Sequence, residues 1–127
     1  MIRGLGIDAV EIERVERMYA DKGDRMLERL FTEDELRYVR GKPAPAQHMA
    51  VRLAAKEAAY KALSGNETAR YIGWRDIEVL TRENDGAPEL RMHGRAAQRF
   101  AELGAVRAYV SLTHSLTTAV AVVILEA

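Results

Sequence analysis

The chain has no cysteine. That excludes disulfides, thiolate metal sites and cysteine nucleophiles, and it suits a reducing cytoplasm, the location expected for this protein. Net charge is absent too: 19 basic residues balance 19 acidic ones over 127 residues. A neutral total argues against a protein that holds nucleic acid by bulk charge. Long apolar runs are missing. The longest, Ala119 to Leu125, falls far short of the roughly 20 residues that span a bilayer, so no membrane role is expected. Met1 to Asp8 is too short, and too soon followed by charges, to read as a signal peptide. There is no phosphate-cradling glycine-rich loop. No Gly-x-Ser-x-Gly surrounds Ser115. His48, His93 and His114 lack the spacing of a histidine metal site. No repeat, low-complexity tract or linker appears, and residues 1–127 are expected to form one domain.

What is present is enough for a core, since 48% of residues are hydrophobic. Ile2 to Ile7 reads as a short strand, with Gly4 and Gly6 leaving room for a neighbouring backbone or ligand. Val10, Ile12, Val15 and Met18 mark an amphipathic helix that Gly23 breaks, and Met26, Leu27 and Leu30 suggest a second helical piece. Thr32-Glu33-Asp34-Glu35 is a capping box opening a helix to about Arg40. After a Gly41–Pro45 loop a long helix runs from about Ala46 to Leu63, and residues 67–73 read as loop. Strands follow over Asp76–Thr81 and Glu89–Met92, joined through Asp85-Gly86. A helix spans His93 to Leu103, and two final strands flank His114-Ser115. The fold class is α+β, with a mostly antiparallel sheet packed on a long central helix.

Chemistry concentrates in two places. Gly4-Leu5-Gly6-Ile7-Asp8 ends a strand on a lone carboxylate. The long helix is apolar on both faces, which implies packing on both, yet it carries Arg52, Lys56, Glu57 and Lys61. Those charges are expected half-buried at seams, where an unpaired charge is expensive. Glu57 and Lys61 fit an i,i+4 salt bridge of about 0.3–0.5 kcal/mol. They also fit a sharper reading, in which Asp8 and Glu57 hold Mg²⁺ while Lys56 and Lys61 meet phosphate. Magnesium takes only one or two protein carboxylates and fills its other positions with water and substrate phosphates. Asp8 can equally cap the next helix. His114 lies among Ser111, Thr113 and Ser115, hydroxyls that serve either a turn or a phosphate.

Taken together these segments resemble the small bacterial type of 4′-phosphopantetheinyl transferase, the holo-[acyl-carrier-protein] synthase family. The likeness rests on Gly4-Leu5-Gly6-Ile7-Asp8 with Glu11-Ile12-x-Arg14, on Phe31-Thr32-x-x-Glu35, and on Arg52-Leu53-Ala54-Ala55-Lys56-Glu57-Ala58-x-x-Lys61-Ala62-Leu63. It continues through Asp76-Ile77-Glu78-Val79, Asn84-x-Gly86-x-Pro88 and Val110-Ser111-Leu112-Thr113-His114-Ser115, in family order over nearly the whole chain. The resemblance implies transfer of the 4′-phosphopantetheine arm of coenzyme A to a serine of an apo acyl carrier protein, releasing adenosine 3′,5′-bisphosphate. The alternative is a non-catalytic coenzyme A-binding module. By family pattern Asp8 and Glu57 bind Mg²⁺, and Asp8, Glu57 and Lys61 are the catalytic set. Glu57 or a water on the metal would take the serine proton. Lys56, Lys61, Pro88, Ser111, Thr113 and His114 would bind coenzyme A. Arg14, Arg17 and Arg25 would dock the acidic carrier protein. The family pattern also implies a homotrimer with sites between subunits. Ser64-Gly65-Asn66-Glu67-Thr68 departs from the family's usual glycine-rich stretch, and no site residue is carried over to it.

Overall fold

Two glycines decide how the fold closes. An ideal Cβ on Gly6 would sit 1.8 Å from the carbonyl oxygen of Ala58, and one on Gly4 would sit 2.3 Å from that of Ala62. The close neighbour these glycines admit is therefore a helix backbone, not a ligand. The computed structural model describes residues 1–127. Its elements are β1 (Ile2–Glu11), α1 (Ile12–Leu30), α2 (Glu33–Arg40), α3 (Pro45–Leu63), α4 (Glu67–Arg70), β2 (Ile77–Thr81), β3 (Pro88–Met92), α5 (Gly94–Glu102), β4 (Arg107–His114) and β5 (Thr118–Glu126).

The strands form two antiparallel sheets, β1-β5-β4 and the hairpin β2-β3. This is the expected α+β arrangement, with antiparallel sheets packed on the long helix. In the larger sheet Asp8 pairs with Ala121, which pairs in turn with Leu112. Alternation along β5 buries Ala119, Ala121, Val123 and Leu125 and leaves Val120, Val122 and Ile124 on the outer face. Small residues thus line the meeting of sheet and helix from both sides: Gly4, Gly6 and Ala121 against Ala54, Ala58 and Ala62, and Ala119 in the cluster that holds Ala50.

Helix α3 divides the core in two. On one side Ala54, Ala58, Leu63 and Val123 pack with Val79 and Ala96. On the other, Met49 and Leu53 pack with Val15, Leu27, Phe31 and Val39. That is the two-faced packing read from the apolar pattern. No helix is long and apolar enough to cross a membrane.

Several local details depart from the sequence reading. Pairing with β5 carries β1 through Val10 to Glu11 opposite Thr118, well past Ile7. The 67–73 segment holds a short helix, α4, started by Asn66 Oδ1 accepting the Ala69 N–H at 3.0 Å. Gly23 interrupts α1 with φ of +63°, a left-handed backbone that suits glycine. The capping box at Thr32 and Glu35 forms as read.

Candidate functional site

Asp8 is on the inner face of β1, the face that Gly6 brings against α3. One helical turn of α3 presents Glu57 and Lys61 toward it. Lys61 Nζ donates to Asp8 Oδ1 at 3.0 Å and to the carbonyl of Ile7 at 3.0 Å. The i,i+4 spacing reading is thereby overturned: Lys61 pairs across to the strand, not along the helix to Glu57. Asp8 keeps 19% of its side chain exposed and Lys61 keeps 52%, so the cluster opens to solvent.

Glu57 carries the electrostatic signature of the site. Burial, and then the neighbouring Asp8 carboxylate, push its pKa above the ordinary glutamate value; Lys61 and Arg14 act the other way. Two carboxylates that repel each other beside an open surface would both gain from a divalent cation. The Lys61 ammonium stands on Asp8 where such charge would act. No group of three or more His, Asp or Glu side chains converges anywhere. A pair of carboxylates fits a hard cation whose remaining ligands come from water and phosphate, and the donor set accordingly suits Mg²⁺.

A cavity of about 240 Å³ opens beside Glu57, lined by Lys56, Tyr60, Arg70, Ile72, Gly73, Trp74 and Ile77. Sequence reasoning missed this wall. The one signal for it was the chain's sole tryptophan following a glycine in a loop.

Lys56 stands differently from its expected role. Its side chain is 1% exposed and its ammonium donates to Glu35 Oε1 at 2.8 Å, to the carbonyl of Trp74 at 3.0 Å and to the carbonyl of Ile77. Those partners occupy all three donors of an ammonium, leaving none for a phosphate. The half-buried seam expected for this charge is corrected to full burial. Desolvation holds the Lys56 pKa below its usual value, against the pull of Glu35.

Arg52, one turn earlier, is also fully buried. It donates to the His48 carbonyl at 3.3 Å and to Thr81 Oγ1 at 3.1 Å, and its guanidinium stacks 4.2 Å over the Tyr38 ring. Its Nε has no partner. Lys42 covers the same ring at 4.5 Å. Burial, then Arg52 and Lys42, push the His48 pKa below the ordinary value. Nearby, the His114 ring bonds the Gln47 amide at 2.7 Å. Pro88, half-buried, pairs with Thr81 at the end of the β2–β3 hairpin. A second, cation-rich cluster thus gathers at the N-terminal end of α3. Ten residues separate Gln47 from Glu57, about 15 Å along a helix.

The expected residues therefore fall into separate groups. Asp8, Glu57 and Lys61 come together. His114 and Pro88 belong to the far end of α3. Ser111 and Thr113 alternate onto the outer face of the sheet, paired with Val122 and Val120, away from Asp8. Arg14, Arg17 and Arg25 are exposed on α1. Arg14 lies near enough to influence Glu57, and Arg17 pairs with Glu13 at 3.6 Å.

The chain is similar to known proteins along its whole length. It is 45% identical over 126 residues to a holo-[acyl-carrier-protein] synthase of Geobacter metallireducens, covering 99% of this chain and 98% of that one. Among solved structures it resembles the holo-[acyl-carrier-protein] synthase of Neisseria meningitidis, with a TM-score of 0.86, 28% identity and full coverage of both chains. It also resembles that of Bacillus anthracis in complex with CoA (3′,5′-ADP), with a TM-score of 0.79, 33% identity, and coverage of 100% of this chain and 98% of the other. The profile of the 4′-phosphopantetheinyl transferase superfamily matches residues 4–121, a span that holds both the Asp8–Glu57–Lys61 cluster and the cationic one, and the chain belongs to that superfamily.

Proposed function

We propose that this protein is a holo-[acyl-carrier-protein] synthase, one domain over residues 1–127, acting in the cytoplasm. The observation that carries the reading is the meeting of Asp8, Glu57 and Lys61 at an open surface, in a chain with full-length synthase relatives. In the reaction the acceptor serine Oγ forms a bond to the pantetheine-side phosphorus of coenzyme A. The bond from that phosphorus to the bridging oxygen breaks, and adenosine 3′,5′-bisphosphate leaves. A Mg²⁺ held by Asp8 and Glu57 would neutralise pyrophosphate charge and orient the leaving group.

The chain's own groups do the rest. Lys61, half exposed beside Asp8, would stabilise charge that builds on the phosphates. Glu57 or a water beside it would take the serine proton as Oγ attacks. The cavity beside Glu57 offers Tyr60, Ile72 and Trp74 as apolar walls for the pantetheine arm. The cluster of Lys42, His48 and His114 suits the nucleotide phosphates, with the buried Arg52 behind it. Exposed Arg14, Arg17 and Arg25 suit an acidic carrier protein.

Ser111 and Thr113 reach a site at Asp8 only from another copy, because they project from the opposite face of the sheet. That face leaves Leu5 63%, Ile7 60% and Tyr109 49% exposed, apolar surface that a partner would cover. Both features support an assembly with sites between subunits; a trimer is what the family resemblance implies, and sedimentation would read the number directly. Calorimetric titration of coenzyme A tests the site. Binding should strengthen with Mg²⁺, and the gain should vanish in Asp8→Asn and Glu57→Gln. Equal metal dependence in those variants would refute the assignment. Metal-dependent binding without transfer would favour a coenzyme A-binding module.

A further inference from the structure

The Lys56 ammonium ties together four pieces of the chain. Glu35 belongs to α2, Lys56 to α3, Trp74 to the turn after α4, and Ile77 to β2. Glu35 is as fully used as its partner. Its Oε1 accepts from Lys56 Nζ at 2.8 Å and from the Thr32 N–H at 2.9 Å, and its Oε2 accepts from the Val79 N–H at 2.8 Å. A buried ion pair survives only when its remaining donors and acceptors are satisfied, and here they are. Thr32 Oγ1 then donates to Glu78 Oε2 at 2.5 Å, and Glu78 Oε1 meets His93 Nε2 at 3.0 Å, linking the pair to the surface. Two of the three Lys56 acceptors, Trp74 and Ile77, line the cavity beside Glu57. Glu35 does not.

We infer that Lys56, although it lines the cavity beside Glu57, is a positioning residue: with Glu35 it fixes the Trp74–Ile77 wall, and its ammonium gives coenzyme A no hydrogen bond. The inference deepens the transferase reading and rests on it for the meaning of that cavity. A direct-contact role and a positioning role predict opposite results for Glu35. If Lys56 bound phosphate, Glu35→Gln would release its ammonium and preserve or strengthen coenzyme A binding. If Lys56 positions the wall, Glu35→Gln harms turnover as Lys56→Met does, although Glu35 lies outside the cavity.

The test compares Lys56→Met, Glu35→Gln and the double variant Glu35→Gln/Lys56→Met by transfer kinetics and by emission of Trp74, the only tryptophan. Both single variants should lose kcat/KM by roughly a hundredfold, the scale of a misplaced wall, and both should shift Trp74 emission. The double variant should be no worse than either single. Retained turnover in Glu35→Gln beside loss in Lys56→Met would overturn the inference. A second measurement needs no variant. Lysines of the intact protein are acetylated with and without coenzyme A and mapped by mass spectrometry. Lys61, half exposed, should label and be protected by coenzyme A. Lys56 should stay unlabelled in both states. Labelling of Lys56 that coenzyme A suppresses would overturn the inference even if every variant failed to fold. Failure of coenzyme A to protect Lys61 would count against the transferase reading and leave the Lys56 result intact.

Discussion

Replacing Gly6 by alanine should damage stability and activity together. The added Cβ would lie 1.8 Å from the Ala58 carbonyl oxygen, 2.8 Å from the Ala58 carbonyl carbon and 3.0 Å from the Ala62 nitrogen. All three are backbone atoms in the last two turns of α3, so no side chain can swing aside. Strand and helix must part by more than an ångström. Overpacking of a tight core costs about 1–3 kcal/mol, and a rigid backbone obstacle places this case at the upper end. For a chain of this length that is a fall in Tm of about 10 °C. Asp8 lies two residues on, on the same face of β1, and moves away from Glu57 and Lys61 with the strand. Thermal melting by circular dichroism and transfer assayed at a temperature where the variant stays folded would measure both effects. Gly41→Ala is the control: its φ is −82° and nothing stands closer than 3.7 Å, so it should stay within about 0.5 kcal/mol. A Gly6→Ala protein that melts and turns over like the unaltered one would refute the packing argument.

Lys61→Met should barely change Tm, because an ion pair this exposed contributes at most about 1 kcal/mol. It should nevertheless weaken coenzyme A binding in calorimetry; unchanged affinity would remove Lys61 from the site. Glu57 gives a pH signature. Its raised pKa means that its contribution to stability is present below the unfolded glutamate pKa and lost as pH rises through the folded value. Glu57→Gln should therefore melt higher than the unaltered protein at neutral pH, with the gap closing in acid, whereas a lower Tm at neutral pH would contradict the electrostatics. Arg14→Glu should raise KM for carrier protein far more than for coenzyme A, and the effect should shrink in high salt. Equal effects on both substrates would sink the docking assignment.

Local chemistry made much of this molecule readable. The capping box, the Gly23 break, the Asp85-Gly86 hairpin and the alternation along β4 each follow from a few neighbouring residues, and each formed. Asp8 and Glu57 were singled out in the sequence as carboxylates on apolar elements, and the fold brings them close enough for Asp8 to raise the Glu57 pKa. Partners distant in sequence were not. Spacing offered Lys61 a partner at Glu57, but Gly6 brings β1 so close that Asp8 takes the ammonium instead. Glu35 read as a capping residue and nothing more; its second role depends on Lys56, 21 positions away. The same contact occupies the Lys56 ammonium that the sequence offered to phosphate. The aromatic wall of the cavity escaped notice because Tyr60, Ile72 and Trp74 share no motif and meet only when the chain after α3 folds back. The separation of Ser111 and Thr113 from Asp8 was latent in the period of two along β4, and it became visible only once Asp8 had a face of its own.

The most direct test of the account is mass spectrometry of an intact bacterial apo acyl carrier protein after incubation with this protein, coenzyme A and Mg²⁺. The account predicts a gain of one phosphopantetheine, abolished by EDTA and restored by excess Mg²⁺. No gain with several carrier proteins and a folded enzyme would contradict the transferase assignment, and a gain indifferent to EDTA would contradict the metal site at Asp8 and Glu57.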